Sequence, residues 1–208
     1  VPLALAVIPL DVQPQVLLQK GHGVWLLQHG CDHTNRAGAG EKKTEFPFAE
    51  PVDHALARLQ HGWAQLQGPA AVQVLVPPWN RIGSAALPGR LAQAGYRGLS
   101  RFGARARDSG LAGLVQVNTH VDIIDWHGTR GFVGEDQVLQ AALAHLQARR
   151  EGRVDPQEAT GWLTHHLVHD AACWDFLARL FAFCREQGTV VWQDADRLFS
   201  PARQHNLP

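Results

Sequence analysis

The chain has 208 residues, 45% of them hydrophobic, with 19 basic and 19 acidic side chains and a formal net charge of zero. That apolar content suffices for one domain with a substantial core and excludes a disordered chain, while the balanced charge offers no electrostatic grip on nucleic acid or an anionic membrane. The longest apolar runs, Leu3 to Ile8 and Val72 to Val76, fall far short of the roughly 20 residues that span a bilayer, and no basic segment precedes Val1 to make a secretory signal.

Three cysteines, Cys31, Cys173 and Cys184, cannot all pair and show no Cys-x-x-Cys spacing, which points to a reducing, cytoplasmic compartment. There is no methionine, and the apolar opening Val1 to Pro9 reads as a strand already under way, so residue 1 is not expected to start the domain. Apolar runs rich in β-branched residues then alternate with Ala/Leu/Arg stretches of helical period, the pattern of an α/β fold with a parallel sheet or barrel. In chain order, strands are expected at 3–8, 23–28, 72–76, 97–100, 115–118, 121–125, 160–165 and 189–192. Helices are expected at 12–20, 50–67, 84–94, 134–151, 170–187 and 194–199. Helix 170–187 has the fullest set of signals: Asp170 as N-cap, apolar residues from Ala171 through Trp174 and Leu177 to Cys184 at helical spacing, and Gly188 as the stop. The stretch from His29 to Glu50 has no period and is expected to be a functional loop. No repeat or linker divides the chain, and one domain is expected.

Histidines number 12, and several fall at strand ends. In Gln28-His29-Gly30-Cys31-Asp32-His33, directly after a strand, the His-x-x-x-His spacing can bring two imidazoles together on a metal ion. The alternative is two polar loop histidines, with Asp32 a ligand or a turn former. In His120-Val121-Asp122-Ile123-Ile124-Asp125-Trp126, at least one carboxylate rides on a mostly buried strand and needs a partner, for which Arg81 is the candidate. A structural Arg–Asp pair is the competing reading. In Leu163-Thr164-His165-His166-Leu167-Val168-His169-Asp170, His165 ends the strand and suits a general acid or base, while Asp170 reads as a helix cap. Trp25, Trp162, Trp174 and Trp192 read as core, and Trp79 and Trp126 as walls of a sugar-binding cleft. Lys42, Lys43 and the run Arg101 to Arg107 read as solvated loop charges, and Cys31 as packed rather than reactive.

Taken in order, His29-Gly30-Cys31-Asp32-His33, Pro77-Pro78-Trp79-Asn80-Arg81, Asp122-Ile123-Ile124-Asp125-Trp126 and Leu163-Thr164-His165 resemble the motifs of the polysaccharide deacetylase family, the NodB-homology or carbohydrate esterase family 4 superfamily. The resemblance covers about residues 3 to 192. It implies a distorted (β/α) barrel that holds a divalent metal, commonly Zn²⁺, on His29, His33 and an aspartate, and that removes acetyl groups from N-acetylated sugars. It further implies His165 as general acid, Asp125 and Arg81 as its support, Asp122 as a further member, and Trp79, Trp126 and Asn80 against a carbohydrate substrate. Two departures stand out. The family's opening Asp-Asp motif, source of the third ligand and the base, has no counterpart here, so a first strand and helix are expected to be missing and strand 3–8 to lie at a sheet edge. In the groove motif Trp79 replaces the usual tyrosine, and the arginine follows the proline instead of preceding it. The competing functions are a non-catalytic glycan-binding or scaffold domain, and a metal-dependent esterase or amidase on a non-sugar substrate.

Overall fold

The computed structural model describes residues 1–18, 23–106 and 111–200. In chain order its main elements are β1 (Leu3–Val7), α1 (Pro14–Leu17), β2 (Val24–Gln28), α2 (Val52–Leu66), β3 (Ala71–Leu75), α3 (Leu87–Arg90), β4 (Gly98–Leu99), β5 (Val115–Gln116), β6 (Val121–Asp122), α4 (Glu135–Arg150), β7 (Trp162–Leu163), α5 (Ala171–Gln187) and α6 (Ala195–Leu198). They form two compact units, one drawn from residues 2–101, 111–117 and 193–200 and the other from 102–106 and 118–192.

The first unit is a five-stranded parallel sheet in the order β1-β2-β3-β4-β5. Strand alternation sends β3 to two cores: Val72 and Val74 pack with Leu27, Val115, Ala195 and Phe199, while Leu75 packs with Leu59, Leu87, Leu91 and Leu99. A sheet covered on both faces needs apolar residues on both, which is why β2 and β3 carry near-continuous apolar runs. Leu26, Leu59, Leu66 and Leu75 are fully buried, each contributing about 1.5–3 kcal/mol. β1 lies at one edge of the sheet, as expected, with Leu3 45% exposed.

In the second unit β6 and β7 pair in parallel, Val121 opposite Trp162 and Asp122 opposite Leu163. Val121, Ile123 and Ile124 pack with Val138 and Ala142 of α4 and with Cys173, Phe176 and Leu177 of α5. Asp170 caps α5 by accepting the Cys173 N–H at 2.8 Å, and Gly188 ends it with φ +64°.

Several expectations need correction. No strand forms at 189–192: past Gly188 the chain is exposed, Val191 to 72%, and apolar content without a sheet partner makes no strand. The strands expected at 121–125 and 160–165 shrink to two residues each. The helix expected at 12–20 is a single turn over Pro14–Leu17, with its last two positions outside the described residues. Trp174 is not core but 54% exposed, because α5 buries the neighbouring stripe of Cys173, Phe176, Leu177 and Cys184. Arg105 is not a solvated loop charge: its guanidinium bonds Asp155 at 2.7 and 2.9 Å. No described helix is long and apolar enough to cross a membrane.

Candidate functional site

Two polar clusters of the second unit and one of the first carry the titratable chemistry. In the first unit β2 ends at Gln28 and the chain turns immediately, with φ +62° at Gly30 and +54° at His33. The turn winds around the fully buried Glu45 carboxylate, which accepts the Cys31 N–H at 2.8 Å and the His33 N–H at 3.2 Å and is paired with Arg58 at 3.0 Å. Burial pushes the Glu45 carboxyl up against the opposing pull of those bonds. A Cβ at position 30 would run into Glu45 Oε2 and lie 2.7 Å from Pro78 Cγ, so only glycine lets the two segments approach.

His29 Nδ1 faces the Val76 carbonyl at 2.9 Å, which places the ring proton there and the lone pair on Nε2, the tautomer of a metal ligand. The His33 ring lies 5.0 Å from the His29 ring and 4.4 Å from the Trp79 ring, centre to centre. Trp79 and Asn80, in the turn after β3, have φ of +54° and +56°. Among the described residues only four non-glycines have positive φ, and three of them are His33, Trp79 and Asn80. Such strain, of order 1–3 kcal/mol per residue, concentrates where function fixes the backbone. Asp32 turns from the imidazoles to Arg36, bonding it at 2.6 and 2.8 Å, and that guanidinium holds its carboxyl far below the usual carboxylate range. Arg81 is exposed and donates to the Lys43 carbonyl at 3.4 Å. Cys31 is buried, its thiol pushed up first by burial.

In the second unit the carboxyl ends of β6 and β7 hold a different set. His165 Nε2 lies 3.2 Å from Asp122 Oδ2, which also accepts the Trp126 Nε1–H at 2.9 Å, while Asp122 Oδ1 accepts the Ile124 N–H at 3.0 Å. The Trp126 ring stands edge-on to the His165 ring at 4.8 Å. Asp125, the carboxylate expected to support His165, instead accepts the N–H groups of His127, Gly128 and Thr129 and so ties down the following turn. His169 Nε2 accepts the His165 N–H at 3.1 Å.

At the opposite, amino-terminal end of the same strand pair stands a third cluster. The stacked rings of His120 and His145, 3.6 Å apart, face Glu158, with His120 Nε2 3.4 Å from Oε1 and His145 Nε2 4.0 Å from Oε2. All three side chains are buried, and neither Nε2 has a hydrogen-bond partner. Burial drives the His145 imidazole down to about 4, so it is neutral. Burial raises the Glu158 carboxyl, but the His120 ring 3.4 Å away and the Arg105 amide outweigh it and hold it below its ordinary value. This donor set could hold a metal ion, and it is the one such group of three among the described residues.

Of the residues the sequence pointed to, His29 and His33 lie together beside Trp79, and His165 meets Asp122 where Asp125 and Arg81 were expected; Glu45, His145 and Glu158 were missed. His145 left a trace, since it continues the buried α4 stripe of Val138 and Ala142 where a histidine is out of place. Glu45 and Glu158 lie outside regular structure and left none. Comparison of the chain with family models, with curated proteins and with solved structures finds no match.

Proposed function

We propose that this chain is a metal-dependent hydrolase that removes acetyl groups from N-acetylated sugars, built as a distorted (β/α) barrel. The observation that carries the reading is the His29–His33 pair at the carboxyl end of β2, fixed by Glu45 and walled by Trp79, where parallel α/β folds place their chemistry. The imidazole donors fit a zinc-class ion as two of its three protein ligands. When bound, that ion supplies a Lewis acid for the acetyl carbonyl and a water of lowered pKa.

This chain's own residues do the rest. The Val76 carbonyl orients His29, and Trp79 offers an aromatic face to a sugar ring. Asp122 engages His165 at Nε2, which leaves Nδ1 as the nitrogen to protonate the departing sugar nitrogen, a step worth about 10² to 10⁴ in rate. Asp125 fixes the turn that follows Trp126, Arg81, expected to support His165, instead bonds the Lys43 carbonyl, and Asn80 and Trp126 join Trp79 on the substrate side. Three free, buried cysteines fit a reducing, cytoplasmic setting.

A glycan-binding domain is the second reading, favoured by one observation: among the described residues no third His, Cys, Asp or Glu joins His29 and His33 in a ligand set. Acetate release from N-acetylglucosamine oligomers by the zinc-supplemented protein separates the two. Turnover lost in both His29→Ala and His33→Ala supports the enzyme. Oligomer binding without acetate release supports the glycan-binding domain, and release from simple acetyl esters alone redirects the assignment to a non-sugar esterase.

A further inference from the structure

The cluster of His120, His145 and Glu158 plays no part in that reaction, and its geometry asks for something it does not contain. A buried carboxylate costs several kcal/mol unless a positive charge or a full set of donors faces it. Glu158 receives the Arg105 amide at 3.0 and 3.3 Å, while the Arg105 guanidinium is committed to Asp155. Both ion-pair partners of Glu158 are histidines, and the permanent charge that also acts on it, that of Arg105, is shared with Asp155. His145 Nδ1 lies 3.0 Å from Thr160 Oγ1, a hydroxyl that can accept from the ring and so allows the tautomer with its lone pair on Nε2. One carboxylate oxygen faces each ring.

We propose that His120, His145 and Glu158 form a buried structural site for a divalent ion of the zinc class, separate from the His29–His33 pair. Two imidazole nitrogens and a carboxylate able to offer both oxygens give a borderline ion up to four donors. Bonds of about 2.1 Å in a tetrahedral shell separate neighbouring ligand atoms by about 3.4 Å. His120 already stands 3.4 Å from Glu158, and His145, at 4.0 Å, needs to close by about half an ångström. Thr160 supplies the outer hydrogen bond that orients a metal-binding histidine.

The position makes the role structural. His120 immediately precedes β6 and Glu158 lies just before β7, so the ion would tie the amino ends of both strands to α4 through His145, away from Asp122 and His165 at their carboxyl ends. Loading has one local consequence. His120 Nδ1 accepts the Gly161 N–H at 3.1 Å, which puts the ring proton on Nε2 in the ion-free protein. Ligation moves that proton to Nδ1 and turns the Gly161 amide aside, so the Gly161 N–H reports occupancy.

The test uses the full chain carrying His29→Ala and His33→Ala, titrated with Zn²⁺ and with Co²⁺. About one ion should bind, at roughly micromolar Kd or tighter, with a rise in Tm and a shift of the Gly161 amide and of the His120 and His145 ring nitrogens. Adding Glu158→Gln or His145→Gln should weaken binding at least about a hundredfold. If those core variants fail to fold, the histidine ¹⁵N spectrum of the intact cluster decides alone. No ion bound at about 100 µM metal, or an ion bound with the ring nitrogens of His120 and His145 unmoved, overturns the site.

Discussion

Asp122 and Asp125 stand three positions apart in one motif, and their surroundings divide them. Asp122, at the end of β6, meets a ring nitrogen and an indole N–H, whereas Asp125 meets only backbone amides. With an N-acetylated oligomer as substrate, His165→Ala is expected to lower kcat by at least about a hundredfold with metal content unchanged. Asp122→Asn is expected to reproduce part of that loss and displace the pH–rate profile, and Asp125→Asn to leave the profile in place. A profile that moves with Asp125 instead would reverse their roles. His169 makes a prediction about pH. Burial, then the neighbouring His165, lowers its imidazole below the ordinary 6.5. The unfolded chain therefore takes the proton first, so stability is complete above about pH 6.5 and declines as the pH falls below it. In thermal melts between about pH 7.5 and 5.5, His169→Gln should flatten the decline; an unchanged slope places the proton uptake elsewhere.

Among the elements, legibility followed burial. β2 and β3 were readable as near-continuous apolar runs and α2 and α5 as periodic apolar faces, and α5 carries both its cap and its stop in sequence. The segment 189–192 has the same composition as a strand but no partner, and pairing is not encoded in a single run of residues. Trp174 failed for a related reason: on a helix, neighbouring stripes of similar hydropathy compete for the core, and only packing decides between them. β4 is the opposite case, a two-residue strand whose Gly98 leaves room for the Phe199 ring, 101 positions away in the chain. A methyl group there would run into that ring and stand 2.8 Å from the Val115 carbonyl. Gly98→Ala should therefore cost about 1–3 kcal/mol, and pairing it with Phe199→Leu should recover part of the loss in a denaturant melt. Additive losses would show that the strand, not the ring, feels the methyl group.

At the scale of the whole chain, charge balance sets colloidal behaviour. With a formal net charge of zero, a pI near 7.3 and 12 histidines, the protein should be least soluble near neutrality and clear on acidification to about pH 6, as imidazoles charge. Light scattering across pH checks this, and a minimum well below about pH 6 would mean that the balance does not reach the surface. The candidate site was legible to the extent that its residues fall in short motifs at strand ends, as with His29, His33, Asp122 and His165. Glu45 was not, because its role comes from a loop folding back across 12 and 14 positions to meet two amides. That closure has an outcome in hydrogen exchange. The amides of Cys31 and His33 belong to no helix or strand, yet both donate to a carboxylate with no exposed surface. They should exchange with deuterium as slowly as the amides of β2, so the map of slow protons extends beyond the regular elements into a stretch of chain that has none.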